Sequence, residues 1–277
     1  MSDETLLTEL DAAGVMTVTL NRPGAKNAFD TLMQRRMLEL FRDLARRPDV
    51  RVVVLTGAGG AFCTGGDFKS LGAPDPEDPI AQRFADDPQW LDVEYRTDRL
   101  RHFMQASLWL HRMGKPTIAM VRGPAAGAGL SLALACDFRI ASRTAFFVTA
   151  FARIGMSGDF GGTYFLTRLV GPARTKELYM LGDRLDAEEA QRLGLLTRLV
   201  DDSALESTTA EFAARLAKGP PIALRCIKEN VQAALDEPIE RACDLEARNM
   251  IRTRLSQDAR EAMAAFTEKR EPRFLGR

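Results

Sequence analysis

The stretch from Gly123 to Thr163 constrains this chain most. Gly127, Ala128 and Gly129 come directly before Leu130, Leu132, Ala133, Leu134 and Ala135, so residues without bulk open a run of strong helix formers. A helix that starts this way leaves backbone N–H groups unpaired at its positive end, with no side chain to keep an acceptor away. Small residues there would also let the helix pack close to a neighbour. A second turn of like composition, Ala61-Phe62-Cys63-Thr64-Gly65-Gly66-Asp67-Phe68, follows the strand-like run Val50 to Gly57. Two separate glycine-bearing turns can each present one N–H to the same carbonyl oxygen, which is the geometry of an oxyanion hole.

At 277 residues the chain fits one large domain, or one domain with a helical appendage, and can bury a substantial core. Its 38 basic and 38 acidic residues cancel, which gives no support to a nucleic-acid partner or an anionic membrane. No apolar run is long enough to span a bilayer. The opening MSDETLLTEL reads as neither a secretory signal nor a transit peptide, and the closing Leu-Gly-Arg is not a peroxisomal address, so a cytoplasmic location is expected. Cys63, Cys136, Cys226 and Cys243 lack metal-ligand or disulfide-framework spacing and read as reduced thiols, mostly buried. The two histidines, His102 and His111, lie on one expected helix, so no metal is expected in the chemistry.

Along the chain, Leu6 to Leu10 and Val15 to Leu20 alternate and are split by Ala13-Gly14, which predicts a hairpin. Asp30 or Thr31 caps a helix that Pro48 stops. The proline- and acid-rich stretch 72–89 predicts a loop, either a wall of a substrate pocket or a surface insertion. A long amphipathic helix follows over 91–113. The order of two strands then a helix recurs near 117–147, which predicts an α/β fold built as a spiral of ββα units. From Ser203 onward the pattern is helical, broken at Gly219-Pro220-Pro221, at Pro238 and at Ser256. Leu245, Met250, Ile251, Leu255 and Met263 exceed what a small bundle needs, so self-association is expected. The chain divides into a core over 1–202 and a helical oligomerisation region over 203–277.

Taken together, Asn21-Arg22-Pro23 with Asn27-Ala28, then Phe62-Cys63-Thr64-Gly65-Gly66-Asp67, then Gly123-Pro124-Ala125-Ala126-Gly127-Ala128-Gly129, then Gly161-Gly162-Thr163, resemble the crotonase (enoyl-CoA hydratase/isomerase) superfamily. The likeness runs from about Thr5 to the Ala265-Phe266-Thr267-Glu268-Lys269-Arg270 ending. It implies an acyl-CoA thioester substrate, with coenzyme A as part of that substrate and no separate cofactor. It also implies assembly as a homotrimer or a dimer of trimers. By resemblance the oxyanion-hole N–H groups belong to Gly66 and Ala128. Coenzyme A then runs along the turn from Arg22 through Lys26 to Ala28, and along the loop holding Phe62, Thr64, Asp67 and Phe68. Lys269 matches a phosphate-binding lysine that reaches a neighbouring subunit's nucleotide, or is a solvated charge; Phe266 closes over the acyl pocket.

The departures from the family pattern bear on the reaction. Typical hydratases of this kind use two glutamates, and the matching positions here are Ser131 and Phe151, neither a useful acid or base near neutrality. The remaining acid is Asp159, which matches the aspartate of dienoyl-CoA and epoxyphenylacetyl-CoA isomerases. Crowding by Phe151 and Phe160 is expected to raise its pKa; alternatively Asp159 caps the helix that starts near Gly161. The leading expectation is an isomerase with Asp159 as acid and base. Three others stay open: a hydratase of atypical mechanism, an aspartate-nucleophile dehalogenase or hydrolase with a histidine base, and a catalytically silent acyl-CoA binder.

Overall fold

The computed structural model describes residues 5–67 and 93–277. The 72–89 loop, Phe68 and Trp90 lie outside the described residues. In chain order the strands are β1 (Leu6–Leu10), β2 (Val15–Leu20), β3 (Val52–Gly57), β4 (Thr117–Val121), β5 (Pro124–Ala126), β6 (Phe138–Ser142), β7 (Phe146–Val148), β8 (Leu185–Asp186) and β9 (Arg198–Val200). The helices of the first half are α1 (Thr31–Arg46), α2 (Val93–Arg112), α3 (Ala128–Ala135) and α4 (Gly162–Leu181). Those of the second half are α5 (Ala187–Arg192), α6 (Leu205–Ala217), α7 (Pro221–Asp236), α8 (Ile239–Arg254) and α9 (Gln257–Glu268).

The hairpin β1–β2 is antiparallel, and every later pairing in the larger sheet, ordered β1-β2-β3-β4-β6-β9, is parallel. A smaller sheet, β5-β7-β8, stands beside it. The pairs β4–β5 and β6–β7 each send one strand to each sheet before the next helix, which is the expected spiral. Pro124–Ala126 was expected only as part of a glycine-rich turn. It forms a strand because its backbone pairs with Phe146–Val148 on one side, while Ala125 bridges to Cys63 on the other. That pairing depends on residues far away in sequence, so local propensity gave no sign of it.

The two faces of the larger sheet follow its period of two. Val53 and Leu55 of β3 point into the main core, with Phe41 of α1, Leu110 of α2 and Leu132 of α3. Val52 and Val54 point the other way, onto Leu205, Ala213 and Ala217 of α6. So α6, placed by sequence with the oligomerisation region, packs on the sheet, because a parallel sheet needs cover on both faces. Helix α4 is broken at Gly171 (φ 78°) before Pro172, which cannot donate to the helix ladder. Lys228 of α7 anchors the C-terminal helices: its Nζ lies 2.8 Å from Asp137 Oδ2 and 3.2 Å from the Lys115 carbonyl. Asp137 also accepts from the Thr117 N–H at 2.8 Å, so one carboxylate ties α7 to the start of β4. Among the described residues no helix is long and apolar enough to cross a membrane.

Candidate active site

The two glycine-bearing turns lie side by side. The Cys63 N–H donates to the Pro124 carbonyl at 3.1 Å, and the Ala126 N–H donates back to the Cys63 carbonyl at 2.9 Å. Gly65 has φ +89°, and a Cβ placed on it would stand 3.1 Å from the Ala128 nitrogen, so the first turn reaches the start of α3 itself. Phe29 bridges in parallel to Gly66 through the Gly65 carbonyl (2.9 Å) and the Asp67 N–H (3.1 Å). In such a bridge the central residue's own N–H points to the opposite edge. Among the described residues, neither the Gly66 nor the Ala128 N–H has a protein acceptor. Helix α3 is buried along its whole length, and its N-cap, Gly127, contributes no side-chain bond. Its positive end is thus left open to a ligand.

Both turns line one cleft of about 450 Å³, together with Asp159. Asp159 does not cap α4: the cap residue is Gly161, with no side-chain bond, and Asp159 contributes only its carbonyl, to the Gly162 N–H. Its Oδ1 is buried with no hydrogen-bond partner among the described residues. Burial alone pushes the carboxyl up to about 6, because water is excluded and no cation compensates. Phe160, beside it, is itself buried and packs on Phe29 with ring centroids 5.3 Å apart. Phe160 and Ala150, both lining the cleft, hold positive φ (50° and 61°), a conformation that costs a non-glycine residue about 1 kcal/mol.

Of the other residues singled out by sequence, Thr64, Asp67 and Phe151 also line the cleft. Arg22 braces it from behind: Nη2 lies 2.9 Å from Asp67 and 3.4 Å from Asp30, while Nη1 donates to the Ala28 carbonyl. Lys26 is exposed, and its carbonyl accepts from the Thr64 N–H at 3.2 Å. Ala28 and Phe62 are buried. Ser131 is buried behind the cleft, and its hydroxyl donates to the Gly127 carbonyl at 3.3 Å. Phe266 (87% exposed) and Lys269 lie on the surface at the end of α9, away from the cleft of their own chain.

Neither histidine lines this cleft. His102 is exposed, and His111 faces a separate apolar cavity of about 390 Å³ beneath α7. The aspartate-nucleophile reading with a histidine base therefore loses its base. Cys63 is not a nucleophile either: burial pushes its thiol up to about 12, and it donates to the Asn27 carbonyl at 3.0 Å. Among the described residues no group of three or more His, Cys, Asp or Glu could hold a metal ion.

Sequence reasoning passed over Asn27 as more than a motif letter. It is fully buried with φ 59°, and its Nδ2 donates to the carbonyls of Ala58 (2.8 Å) and Ala61 (2.7 Å). Its Oδ1 accepts from the Arg22 N–H at 2.9 Å, so one amide ties the Arg22–Ala28 turn to the entry of the first glycine-bearing turn. Asparagine's tolerance of left-handed backbone was the signal available.

The family model for enoyl-CoA hydratase/isomerase matches residues 11–277. A 1,2-epoxyphenylacetyl-CoA isomerase of Escherichia coli (strain K12) is 37% identical over 264 residues, covering 95% of this chain and 96% of that protein. An (E)-benzylidenesuccinyl-CoA hydratase of Thauera aromatica is 34% identical, covering 95% and 96%. The crystal structure of an enoyl-CoA hydratase from Bacillus anthracis superposes with a TM-score of 0.88 at 28% identity, covering 99% of this chain and 100% of that one. With two open amides, a shared cleft and these relatives over nearly its whole length, the chain belongs to the enoyl-CoA hydratase/isomerase family, the crotonase superfamily.

Proposed function

We propose that this enzyme moves a double bond within an enoyl-CoA thioester, with Asp159 as its single acid and base. The observation that carries this is the Asp159 carboxyl itself: it lines the cleft, holds a buried oxygen with no partner and is pushed up to about 6. Ser131 and Phe151, at the positions where the resemblance places a hydratase's glutamates, supply no acid. In the direction from β,γ to α,β, the Asp159 carboxylate takes a proton from the α carbon. The electron pair then delocalises through the double bond onto the thioester oxygen, giving a dienolate. The Gly66 and Ala128 N–H groups bind that oxygen, each contributing about 3 kcal/mol in the transition state. The protonated Asp159 returns its proton to the γ carbon, so atoms and charge balance without water. A pKa near neutrality suits a group that must both take and give a proton.

The isomerase name of the Escherichia coli relative supports this reading, and the hydratase name of the Thauera aromatica relative supports hydration as the second one. Incubating the protein with a trans-3-enoyl-CoA and weighing the product separates them. The expected product is a 2-enoyl-CoA of unchanged mass. A product heavier by one water, with no isomer formed, overturns the isomerase reading in favour of an atypical hydratase.

Self-association belongs to the same proposal. Ile239, Met250, Ile251, Leu255, Met263 and Phe266, on α8, on α9 and at the junction between them, are all more than half exposed, which is the exposed apolar character that marks an interaction surface. A trimer covers them and can bring Phe266 and Lys269 to a neighbour's cleft. Sedimentation velocity at micromolar concentration is expected to give the mass of three or six chains; a monomer contradicts it.

A further inference from the structure

Helix α2 turns two arginines, Arg96 and Arg99, into the cleft that holds Asp159. Arg99 is half-buried, and its Nε is shut off from solvent with no hydrogen-bond partner among the described residues. Its Nη2 reaches the Thr31 hydroxyl only at 3.4 Å, and its guanidinium carbon stands 5.6 Å from the centre of the Phe103 ring. Among the described residues no carboxylate comes within ion-pair distance of either arginine; the ion pair on α2 joins Arg101 to Asp98. The carboxylates already in the cleft do not serve. Asp67 is held by Arg22, and Asp159 is perturbed by burial alone, with no contribution from a guanidinium. Arg99 Nε and Asp159 Oδ1 are thus orphaned atoms of opposite kind at separate places in one cleft. A guanidinium donor cut off from water without an acceptor is costly to leave unmade.

Building on the acyl-CoA reading of this cleft, we infer that the acyl group it is shaped for carries a second carboxylate beyond the reacting carbons, and that Arg99, with Arg96 beside it, binds that carboxylate. The planar fork of Arg99 suits a carboxylate with two parallel hydrogen bonds. The rings of Phe29, Phe103 and Phe160 wall the same cleft, so the carbon chain between thioester and carboxylate crosses apolar surface. Arg99 is accordingly a specificity-determining residue, not a participant in proton transfer.

Saturated thioesters, which cannot isomerise, separate binding from turnover. Affinities are measured by calorimetry for matched pairs: glutaryl-CoA against valeryl-CoA, adipoyl-CoA against hexanoyl-CoA, and suberoyl-CoA against octanoyl-CoA. In at least one pair the dicarboxylic member is expected to bind about tenfold or more tightly, the size of one charge-assisted hydrogen bond. Arg99→Gln is expected to abolish that preference while leaving the affinity for the monocarboxylic member within about twofold. Arg99→Lys should recover part of it. Arg101→Gln, which removes the same charge from an exposed Asp98 pair, should leave the preference intact. Equal affinity within every pair, or a preference that survives Arg99→Gln, overturns the inference alone. Failure of every thioester to bind overturns the acyl-CoA reading with it.

Discussion

Asp159→Asn is expected to lower kcat by about 10²–10⁴-fold, the usual worth of a positioned acid–base group, and at the same time to raise the melting temperature at pH 7. The two effects share one cause. The carboxyl has an ordinary value near 3.8 in the unfolded chain and about 6 in the fold, because its pocket excludes water and offers no partner to Oδ1. Between those values the native protein holds more protons than the unfolded chain. Stability that is present below about pH 4 is therefore lost as pH rises through about 6. The loss is on the order of 2 kcal/mol once partial exposure is allowed for, or a few degrees of melting temperature in a chain of this size. Asparagine never ionises and so avoids it. Thermal melts of both proteins from pH 4 to pH 8 should converge at the acid end, separate between about pH 4 and pH 6 and stay a constant distance apart above that, with the variant the more stable. Turnover of the wild type should rise with pH through about 6 and then level, since the base must be ionised to start the reaction. A variant that keeps full turnover, or one that melts below the wild type at pH 7, contradicts this account.

The second large effect is expected at Gly129. A Cβ there would stand 2.4 Å from the Cys63 carbonyl oxygen and 2.8 Å from its carbon, both backbone atoms that cannot rotate away. Gly129→Ala therefore forces α3 and the first turn apart. Overpacking of this kind costs about 1–3 kcal/mol. Because α3 carries the Ala128 N–H and the first turn carries that of Gly66, separating them takes one donor off the thioester oxygen. Loss of one such donor lowers kcat by about 10²–10³-fold. Steady-state kinetics should show the fall chiefly in kcat, with KM changed little, since the interaction strengthens only as charge develops. Wild-type turnover with an unchanged melting temperature would show that the contact between the turns does not set the amides.

Much of this was legible because it is local or repetitive. The hairpin at Gly14, the helix break at Gly171-Pro172 and the C-terminal breaks at Pro220, Pro238 and Ser256 are written in residues whose backbone preferences act on their own neighbours. The two glycine turns were visible for the same reason, and the acid at position 159 stood out once 131 and 151 proved to be serine and phenylalanine. What escaped depends on distance. Strand β5 exists only because Phe146–Val148 and Cys63 flank it. Helix α6 reads as one more C-terminal helix until Val52, Val54, Ile118 and Ile140 are seen to need a cover. Arg99 looks like an ordinary charge on an amphipathic helix, and only its approach to Thr31 and the shared cleft with Asp159 set it apart. Tyr179 reads as a core aromatic, yet its ring stacks on Phe151, which lines the cleft, with centroids 6.0 Å apart.

The central claim is that Asp159 moves a proton on carbon while two backbone amides hold the resulting enolate. Proton NMR of a trans-3-enoyl-CoA in heavy water follows this directly. The wild type is predicted to wash deuterium into the α or γ carbon as the double bond moves, and Asp159→Asn, with its fold intact by melting, to leave both carbons fully protonated over the same time. Exchange by the variant at the wild-type rate would contradict the claim.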